Sequence, residues 1–141
     1  MEILQLTQAD RKTLQDINTL LGQISARPKE CSPELFEKII SSEETELWIV
    51  REEEKTVGMA TLVLIYRPEG IAARVEDVVV HGEARGKGYG TLLLEKLTER
   101  AKARGAAILQ LTSSPSRTAA NALYQKLGFS IHDTNCYEMR L

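Results

Sequence analysis

Apolar residues recur along the chain either at helical spacing or in strand-like runs. These two patterns predict a chain of both helices and strands. Met1–Leu6 is a short strand-like entry. Asp10 is the expected N-cap of a first helix, because leucine and isoleucine follow it at helical spacing. Arg27-Pro28 is expected to end that helix. Ser32-Pro33-Glu34 combines an N-cap residue with proline at the first helical position, and it predicts a second helix.

Three runs rich in β-branched residues follow the second helix. Leu47–Arg51 and Lys55–Tyr66 predict two adjacent strands, and Val57-Gly58 within the second predicts a bulge or a close approach of the backbone. Ile71–His81 predicts a longer strand. Its uniformly apolar segment Val78-Val79-Val80 is typical of a strand in the interior of a sheet.

The last third of the chain predicts two helices and three strands. Thr91–Arg104 is a leucine-rich amphipathic helix, and Ala106–Thr112 is a buried strand. Ala120–Leu127 has one apolar face and predicts a helix, with Ser116 or Ser114 as its cap. Closing strands are expected at the end of the chain, over Phe129–Ile131 and Cys136–Leu141.

A glycine-rich loop, Arg85–Gly90, joins the long strand to the leucine-rich helix. Its three glycines permit positive φ and a close approach of the backbone to a ligand, and the opening turn of the helix presents unpaired N–H groups. Thr91 stands where a dinucleotide fingerprint needs glycine, and Gly88 follows Lys87 where a Walker loop needs serine or threonine. The remaining pattern, R-x-x-G-x-G, predicts a pyrophosphate site, with a ligand-free structural turn as the alternative.

Length and composition predict one domain over residues 1–141. The chain is 43% hydrophobic and 27% charged, and it has no apolar run near the roughly 18 residues of a membrane span. The amino terminus lacks an export signal, so a cytoplasmic location is expected. A net charge of −2 with scattered basic residues argues against a nucleic-acid partner.

The remaining charged and sulfur-containing residues indicate no metal or disulfide chemistry. Cys31 and Cys136 are far apart and lack metal-ligand spacing, so no metal site is expected. The acidic clusters at Glu43, Glu44 and Glu46 and at Glu52–Glu54 are interpreted as solvated edges or turns, with attraction of a cationic substrate as the less favoured alternative.

Two segments carry most of the information about function. The first is Val75–Val80 followed by Arg85–Gly90, and the second is Asn121–Phe129. Together they resemble the GNAT superfamily of N-acetyltransferases. The resemblance implies an α/β (α+β) fold with a mixed central β-sheet of six to seven strands and about four flanking helices. The acidic strand and its spacing from the loop are similar to those of the glucosamine-6-phosphate acetyltransferases, without assigning that substrate.

The resemblance implies that acetyl-CoA is the co-substrate and that no metal is required. Its pantetheine arm is expected to pair with the backbone of Val78, Val79 and Val80 and to contact the side chain of Asn121. Its pyrophosphate is expected at the backbone N–H groups of the loop, a conclusion that the glycine chemistry reaches independently. The loop residues concerned are Arg85, Gly86, Lys87, Gly88, Tyr89, Gly90 and Thr91.

Acetyl transfer to an amine needs a base for the amine and an acid for the departing thiolate. Glu76 is the favoured base, because the resemblance places a glutamate of this strand near the substrate amine. Asp77 and a water chain remain open, and adjacent strand residues point to opposite faces. Tyr124 is the expected general acid, one helical turn after Asn121. A buried aromatic with a structural role is the alternative for Tyr124.

The sequence therefore predicts a cytoplasmic N-acetyltransferase that transfers the acetyl group of acetyl-CoA to a primary amine by direct attack in a ternary complex. The acceptor is a small molecule or a peptide, and neither a nucleic acid nor a membrane is expected as a partner. Two alternatives use the same fold: a non-catalytic acyl-CoA-binding sensor, and a regulatory interaction module. For the latter, a homodimer joined through the terminal strands is one candidate assembly.

Overall fold

The computed structural model describes residues 1–24 and 29–141, so the expected end of the first helix at Arg27-Pro28 lies outside the described residues. The chain divides into two compact units, Met1–Leu111 and Thr112–Leu141. In the described residues, the first contains the sheet, three α-helices and a short 3₁₀ helix, and the second contains one α-helix. The single domain over residues 1–141 stays a prediction.

The first unit is built on one mixed sheet, as the sequence predicts. In the described residues the sheet has five strands in the order β1-β2-β3-β4-β5. The first four run antiparallel to their neighbours, and β5 is parallel to β4. The predicted interior position of the long strand is confirmed, since β4 lies between β3 and β5. The strands are β1 Glu2–Gln5, β2 Thr45–Glu52, β3 Lys55–Arg67, β4 Gly70–Val80 and β5 Ile108–Gln110.

The expectation of six to seven strands is wrong for the described residues. Neither Phe129–Ile131 nor Cys136–Leu141 forms a strand, and β5 is shorter than predicted. A strand exists only where its backbone pairs with a neighbouring strand, and a hydrophobic pattern cannot supply that neighbour. In the first of these segments the Phe129 N–H donates instead to the carbonyl of Tyr124, at the end of the preceding helix, at 3.0 Å.

The first two helices begin where their capping residues predict. The Asp10 side chain accepts a hydrogen bond from the Thr13 N–H at 2.8 Å, and the Ser32 hydroxyl accepts one from the Leu35 N–H at 3.1 Å. Each cap satisfies a backbone donor that the helix itself leaves unpaired. The helices of the first unit are α1 Arg11–Leu21, α2 Pro33–Ser41 and α3 Tyr89–Ala103.

The helix of the second unit, α4 Thr118–Lys126, begins differently from the prediction. Its N-cap position is Arg117, and no side chain caps it. Neither Ser114 nor Ser116 occupies that position, and their hydroxyl groups hydrogen-bond to each other at 3.0 Å. The predicted serine cap is therefore wrong.

The two faces of the sheet bury different sets of residues. One face packs with α1 and α2 in a core that includes Leu14, Leu20, Phe36, Ile49, Met59 and Val79. Helix α3 lies near Gly58, where an added Cβ would be 3.5 Å from the Leu93 side chain. The predicted bulge at Val57-Gly58 is confirmed, because Val50 pairs with Gly58 and Arg51 with Thr56, leaving Val57 as the extra residue.

Candidate functional site

The glycine loop leads into α3 through two residues of left-handed backbone. Gly86 and Gly88 both have φ of 81°, and Gly88 is the N-cap residue of α3. A Cβ added at either position would meet nothing within 4 Å, so space is open in front of this backbone. Both observations agree with the glycine requirement that the sequence predicts.

The first turn of α3 has no side-chain cap among the described residues, unlike α1 and α2. Leu92 is the first residue of the turn whose N–H bonds into the helix, to the Gly88 carbonyl at 3.1 Å. The N–H groups of Tyr89, Gly90 and Thr91 precede that ladder, and the positive end of the helix dipole adds to their attraction for an anion. This backbone fits a diphosphate group.

The charged side chains of the loop are engaged elsewhere in the first unit. The Lys87 ammonium donates to Glu52 Oε1 at 2.8 Å, and the buried Tyr89 hydroxyl donates to the same oxygen. Hydrogen bonds from Lys87 and Tyr89 lower the pKa of Glu52, and the bond to Glu52 raises the pKa of Tyr89. Arg85 reaches back to the Val80 carbonyl through Nε at 3.4 Å. The backbone, more than the Lys87 side chain, is therefore available to an anion.

Strand β4 contains a bulge at the acidic pair. Thr61 pairs with Glu76 and Met59 with Val79, so Ala60 alone lies opposite Asp77 and Val78. Asp77 has φ of 52°, in the left-handed region that few residues besides glycine, asparagine and aspartate occupy. The bulge also changes the alternation of side chains, because Glu76 and Val79 now share the face on which Thr61 and Met59 lie.

Glu76 lies half-buried on this face and has a cationic neighbour. Arg74 Nε donates to Glu76 Oε1 at 3.0 Å, and the two side chains are 33% and 42% exposed. Residues two apart on a strand share a face, which explains the pairing. Glu76 therefore forms an ion pair with Arg74 beside the bulge. This geometry suits either a structural ion pair or a catalytic base that Arg74 orients.

Asp77 differs from Glu76 in its electrostatic surroundings. The residue as a whole is exposed, but partial burial of its carboxyl and the nearby charge of Glu76 raise the pKa of Asp77. A raised pKa and an unusual φ at one position are features that accumulate at functional sites. The choice between Glu76, Asp77 and a water chain as the base stays open.

The other predicted contacts of the coenzyme on β4 lie just beyond the bulge. Val79 is buried in the core with α1 and α2, whereas Val78 and Val80 are half-buried. Strand β5 pairs with β4 only at Ala72, Ala73 and Arg74, so within the described residues the backbone beyond the bulge has a strand partner only on the β3 side. Pairing of the pantetheine arm at these residues stays a prediction.

The second unit carries the other two predicted residues. The Tyr124 ring is buried and packs edge-on against Phe129, with centroids 6.2 Å apart, and its hydroxyl has no hydrogen bond within the described residues. The Asn121 amide donates to the Ser114 carbonyl at 2.9 Å and to the Arg117 carbonyl at 2.8 Å. Asn121 thus fixes the turn before α4 and keeps only its Oδ1 for a ligand. Their roles as acid and pantetheine contact stay predictions.

Two residues of this region were not anticipated. Glu52 was interpreted as part of a solvated turn, and nothing local in the sequence indicates its contacts with Lys87 and Tyr89, which lie 35 and 37 residues further on. Arg74 could have been found, because opposite charges two residues apart on a strand share a face. Its bond to Glu76 follows from that spacing.

Across residues 1–24 and 29–141, no group of three or more histidine, cysteine, aspartate or glutamate side chains could hold a metal ion. Within the same ranges, every helix is too short or too polar to cross a bilayer.

The chain resembles known acetyltransferases over most of its length. Glucosamine 6-phosphate N-acetyltransferase 1 of Oryza sativa subsp. japonica is 33% identical over 119 residues, which cover 78% of this chain and 70% of that protein. Further curated acetyltransferases match over 40–47% of this chain, and these matches span only 25–40% of their own length.

Solved structures share the fold over nearly the whole chain. A transcriptional regulator from Bacillus halodurans C-125 has a TM-score of 0.85 at 26% identity, covering 99% of each chain. Glucosamine-6-phosphate N-acetyltransferase from Arabidopsis thaliana has a TM-score of 0.78 at 24% identity, covering 98% of this chain and 97% of that one. The four helices and the mixed sheet in the described residues are those of this fold.

A family model described as the acetyltransferase (GNAT) family matches residues 11–129. This range contains the bulged strand β4, the glycine loop and α4. The chain therefore belongs to the GNAT acetyltransferase family.

Proposed function

We propose that this chain is an N-acetyltransferase that uses acetyl-CoA to acetylate a primary amine by direct attack in a ternary complex. The observation that carries the proposal is the uncapped first turn of α3, the next α-helix after the bulged strand β4, which the chain enters through Gly86 and Gly88 at φ of 81°. Its backbone donors suit the diphosphate of a coenzyme. The co-substrate would supply an activated acetyl thioester.

Side chains of this protein would remove a proton from the amine and donate one to the departing thiolate. An alkyl amine has a reference pKa of about 10.4, so it must lose a proton before it can attack. Glu76 is our first candidate for that base, because it lies beside the bulge and Arg74 fixes its carboxylate. Asp77, whose pKa is raised by burial and by Glu76, is the second candidate. A backbone N–H near Val79 would receive the developing oxyanion.

Tyr124 would protonate the departing thiolate. Its ring is buried while its hydroxyl has no hydrogen bond within the described part of the chain, so the proton is not committed to a structural partner. Asn121 would bind an amide N–H of the pantetheine through Oδ1, since its own amide hydrogens bond to Ser114 and Arg117. Cys31 is not used, because burial raises the pKa of its thiol and disfavours the nucleophilic thiolate.

The experiment measures free thiol released from acetyl-CoA in the presence of a panel of primary amines. Glucosamine 6-phosphate belongs in the panel because a relative is named for it. We expect Tyr124→Phe and Glu76→Gln each to lower kcat by about 10²-fold or more while acetyl-CoA binding, followed by calorimetry, stays close to that of the parent. Matched controls are Tyr137→Phe, which is 89% exposed, and Glu99→Gln on the surface of α3.

The same measurements distinguish the alternatives. Acetyl-CoA binding without thiol release for any amine would refute catalysis and indicate an acyl-CoA sensor. The absence of both would indicate a regulatory interaction module, an alternative favoured by the similar Bacillus halodurans structure described as a transcriptional regulator. Loss of acetyl-CoA binding in a folded Tyr124→Phe variant would show that Tyr124 binds the coenzyme instead of protonating the thiolate.

A further inference from the structure

Arg74 lies on β4 beside the candidate base, with neutral residues on both sides of it. The sheet register places Arg74 opposite Val63 of β3 and Gln110 of β5. Its charged neighbour on the same face is Glu76, two residues along the strand. The positive charge of Arg74 is therefore balanced by one partly exposed carboxylate.

The Arg74 guanidinium is only partly used. Nε donates to Glu76 Oε1 at 3.0 Å, and within the described residues the two terminal nitrogens, Nη1 and Nη2, have no hydrogen-bond partner. Arg100 and Arg104 contrast with it, because each donates from two nitrogens to acceptors on the β2 side of the sheet. Glu76 therefore fixes the Arg74 side chain through Nε, and the N–H groups of Nη1 and Nη2 stay available to a ligand.

This geometry selects a particular kind of ligand. Two adjacent N–H donors of a guanidinium match the two oxygens of a carboxylate or a phosphate, and arginine is favoured wherever such an oxyanion must be bound in a fixed orientation. Residues two apart on a strand are separated by about 6–7 Å. A molecule of amino-acid or sugar size can therefore place an amine at Glu76 and an oxyanion at Arg74.

We propose that the acceptor is a primary amine that also carries a carboxylate or phosphate group, and that Arg74 binds this oxyanion. The inference rests on the function proposed above, because it assumes that the amine is acetylated beside Glu76. Arg74 is then a residue that determines substrate specificity.

The test compares amines that differ only in the oxyanion. Glucosamine 6-phosphate is paired with glucosamine, and L-methionine with L-methioninamide, so the two arms also distinguish phosphate from carboxylate. The quantity measured is the ratio of kcat/KM for the anionic amine to that for its neutral partner. A bidentate charge-assisted contact predicts a ratio of about 10 to 100 in at least one arm.

Three variants separate recognition from general damage. Arg74→Gln should bring the ratio close to one, mainly through KM of the anionic amine, and Arg74→Lys should give an intermediate ratio because it keeps the charge without the fork. Arg11→Gln is the matched control at the exposed start of α1 and should keep the parent ratio. Any effect of Arg74→Gln on Glu76 acts on both amines of a pair and cancels in the ratio.

Each result of these measurements either supports or overturns the oxyanion site at Arg74. A parent ratio near one in both arms, or a ratio unchanged in Arg74→Gln, overturns it while leaving the acetyltransferase function intact. If no amine releases thiol, the proposed function is refuted, and calorimetry with glucosamine 6-phosphate and L-methionine decides the oxyanion site. Binding that Arg74→Gln abolishes supports the site, and no binding, or binding that persists in that variant, overturns it.

Discussion

Replacement of Glu46 by glutamine tests how α3 is held on the sheet. The Glu46 side chain is 3% exposed and lies at the start of β2. It accepts hydrogen bonds from Arg100 at 2.6 and 3.0 Å, from Arg104 at 2.9 Å and from the Trp48 indole at 2.9 Å. Glu46→Gln keeps the shape of the side chain and removes the charge that both arginines share.

The size of the effect follows from the pKa of Glu46. Burial opposes its ionisation, but hydrogen bonds from Arg100 and Trp48, with the charge of Arg100, lower the pKa from 4.5 to about 2. That difference corresponds to roughly 3 kcal/mol of stability at neutral pH. The arginine side chains are 32% and 27% exposed, so solvent screening reduces the expected loss to about 1–2 kcal/mol.

The pH dependence gives the prediction its sign. The folded-state pKa of Glu46 lies below its ordinary value of 4.5, so the contribution is complete above that pH and is lost as the pH falls toward 2. Urea unfolding followed by circular dichroism at a series of pH values measures the free energy of unfolding. We expect the parent to exceed Glu46→Gln by about 1–2 kcal/mol at pH 7 and by much less near pH 2.

A surface pair provides the control for this measurement. Glu99, 67% exposed, pairs with Lys96 one turn away on α3, and Glu99→Gln should change the free energy of unfolding by less than about 0.5 kcal/mol. A parent-to-Glu46→Gln difference that stays constant from pH 7 to pH 2 would refute the ionic origin of the effect. Equal stabilities at pH 7 would show that the network contributes nothing.

Two further predictions concern residues with positive φ. Gly88→Val places a β-branched residue at φ of 81°, which costs about 1–2 kcal/mol of conformational free energy. Calorimetry should therefore show acetyl-CoA binding weakened about tenfold or more. The control Gly82→Ala, which has open space around the added Cβ, should bind acetyl-CoA as the parent does. Undiminished affinity in a folded Gly88→Val protein would contradict the loop's role. Asp77→Gly should raise the free energy of unfolding by at most about 1 kcal/mol and Asp77→Val should lower it, because at φ of 52° glycine is unstrained, aspartate is tolerated and a β-branched residue is disfavoured. Equal urea midpoints for the three proteins would show that the bulge is unstrained.

Features with a local cause were predictable from the sequence. Asp10 and Ser32 cap their helices because the capping bond joins residues three apart. The glycine loop and the bulge at Val57-Gly58 were likewise predicted from residues whose backbone preferences are intrinsic. The GNAT resemblance rested on the same short segments, and the family match confirms it.

Features that depend on distant partners were not predictable in this way. Glu46 was interpreted as part of a solvated acidic cluster, yet its partners Arg100 and Arg104 lie 54 and 58 residues further along the chain. The prediction of closing strands was wrong for a related reason. The alternation of apolar and polar residues describes a single strand, whereas a sheet requires a second strand to pair with it. Asp77 shows the same limit, since its φ arises from the register of β4 against β3.

Contacts at the two ends of β2 explain how the glycine loop and α3 are positioned. Even-numbered residues of β2 share one face, and this face carries Glu46 near one end and Glu52 at the other. Glu46 binds Arg100 in the last turn of α3 and Arg104 directly after it. Glu52 binds Tyr89 at the start of α3 and Lys87 in the loop before it. The six-residue separation of the two carboxylates spans about 20 Å of strand, and α3 is about 22 Å long, so strand and helix match in length.

This match accounts for the absence of a side-chain cap at the start of α3. A helix usually gains stability from a capping side chain, as α1 and α2 do with Asp10 and Ser32. In α3 the orientation is fixed from β2 through side chains at both ends, and Gly88 provides the turn without a capping group. The N–H groups of the first turn are therefore left for an external acceptor, which an anionic ligand can supply.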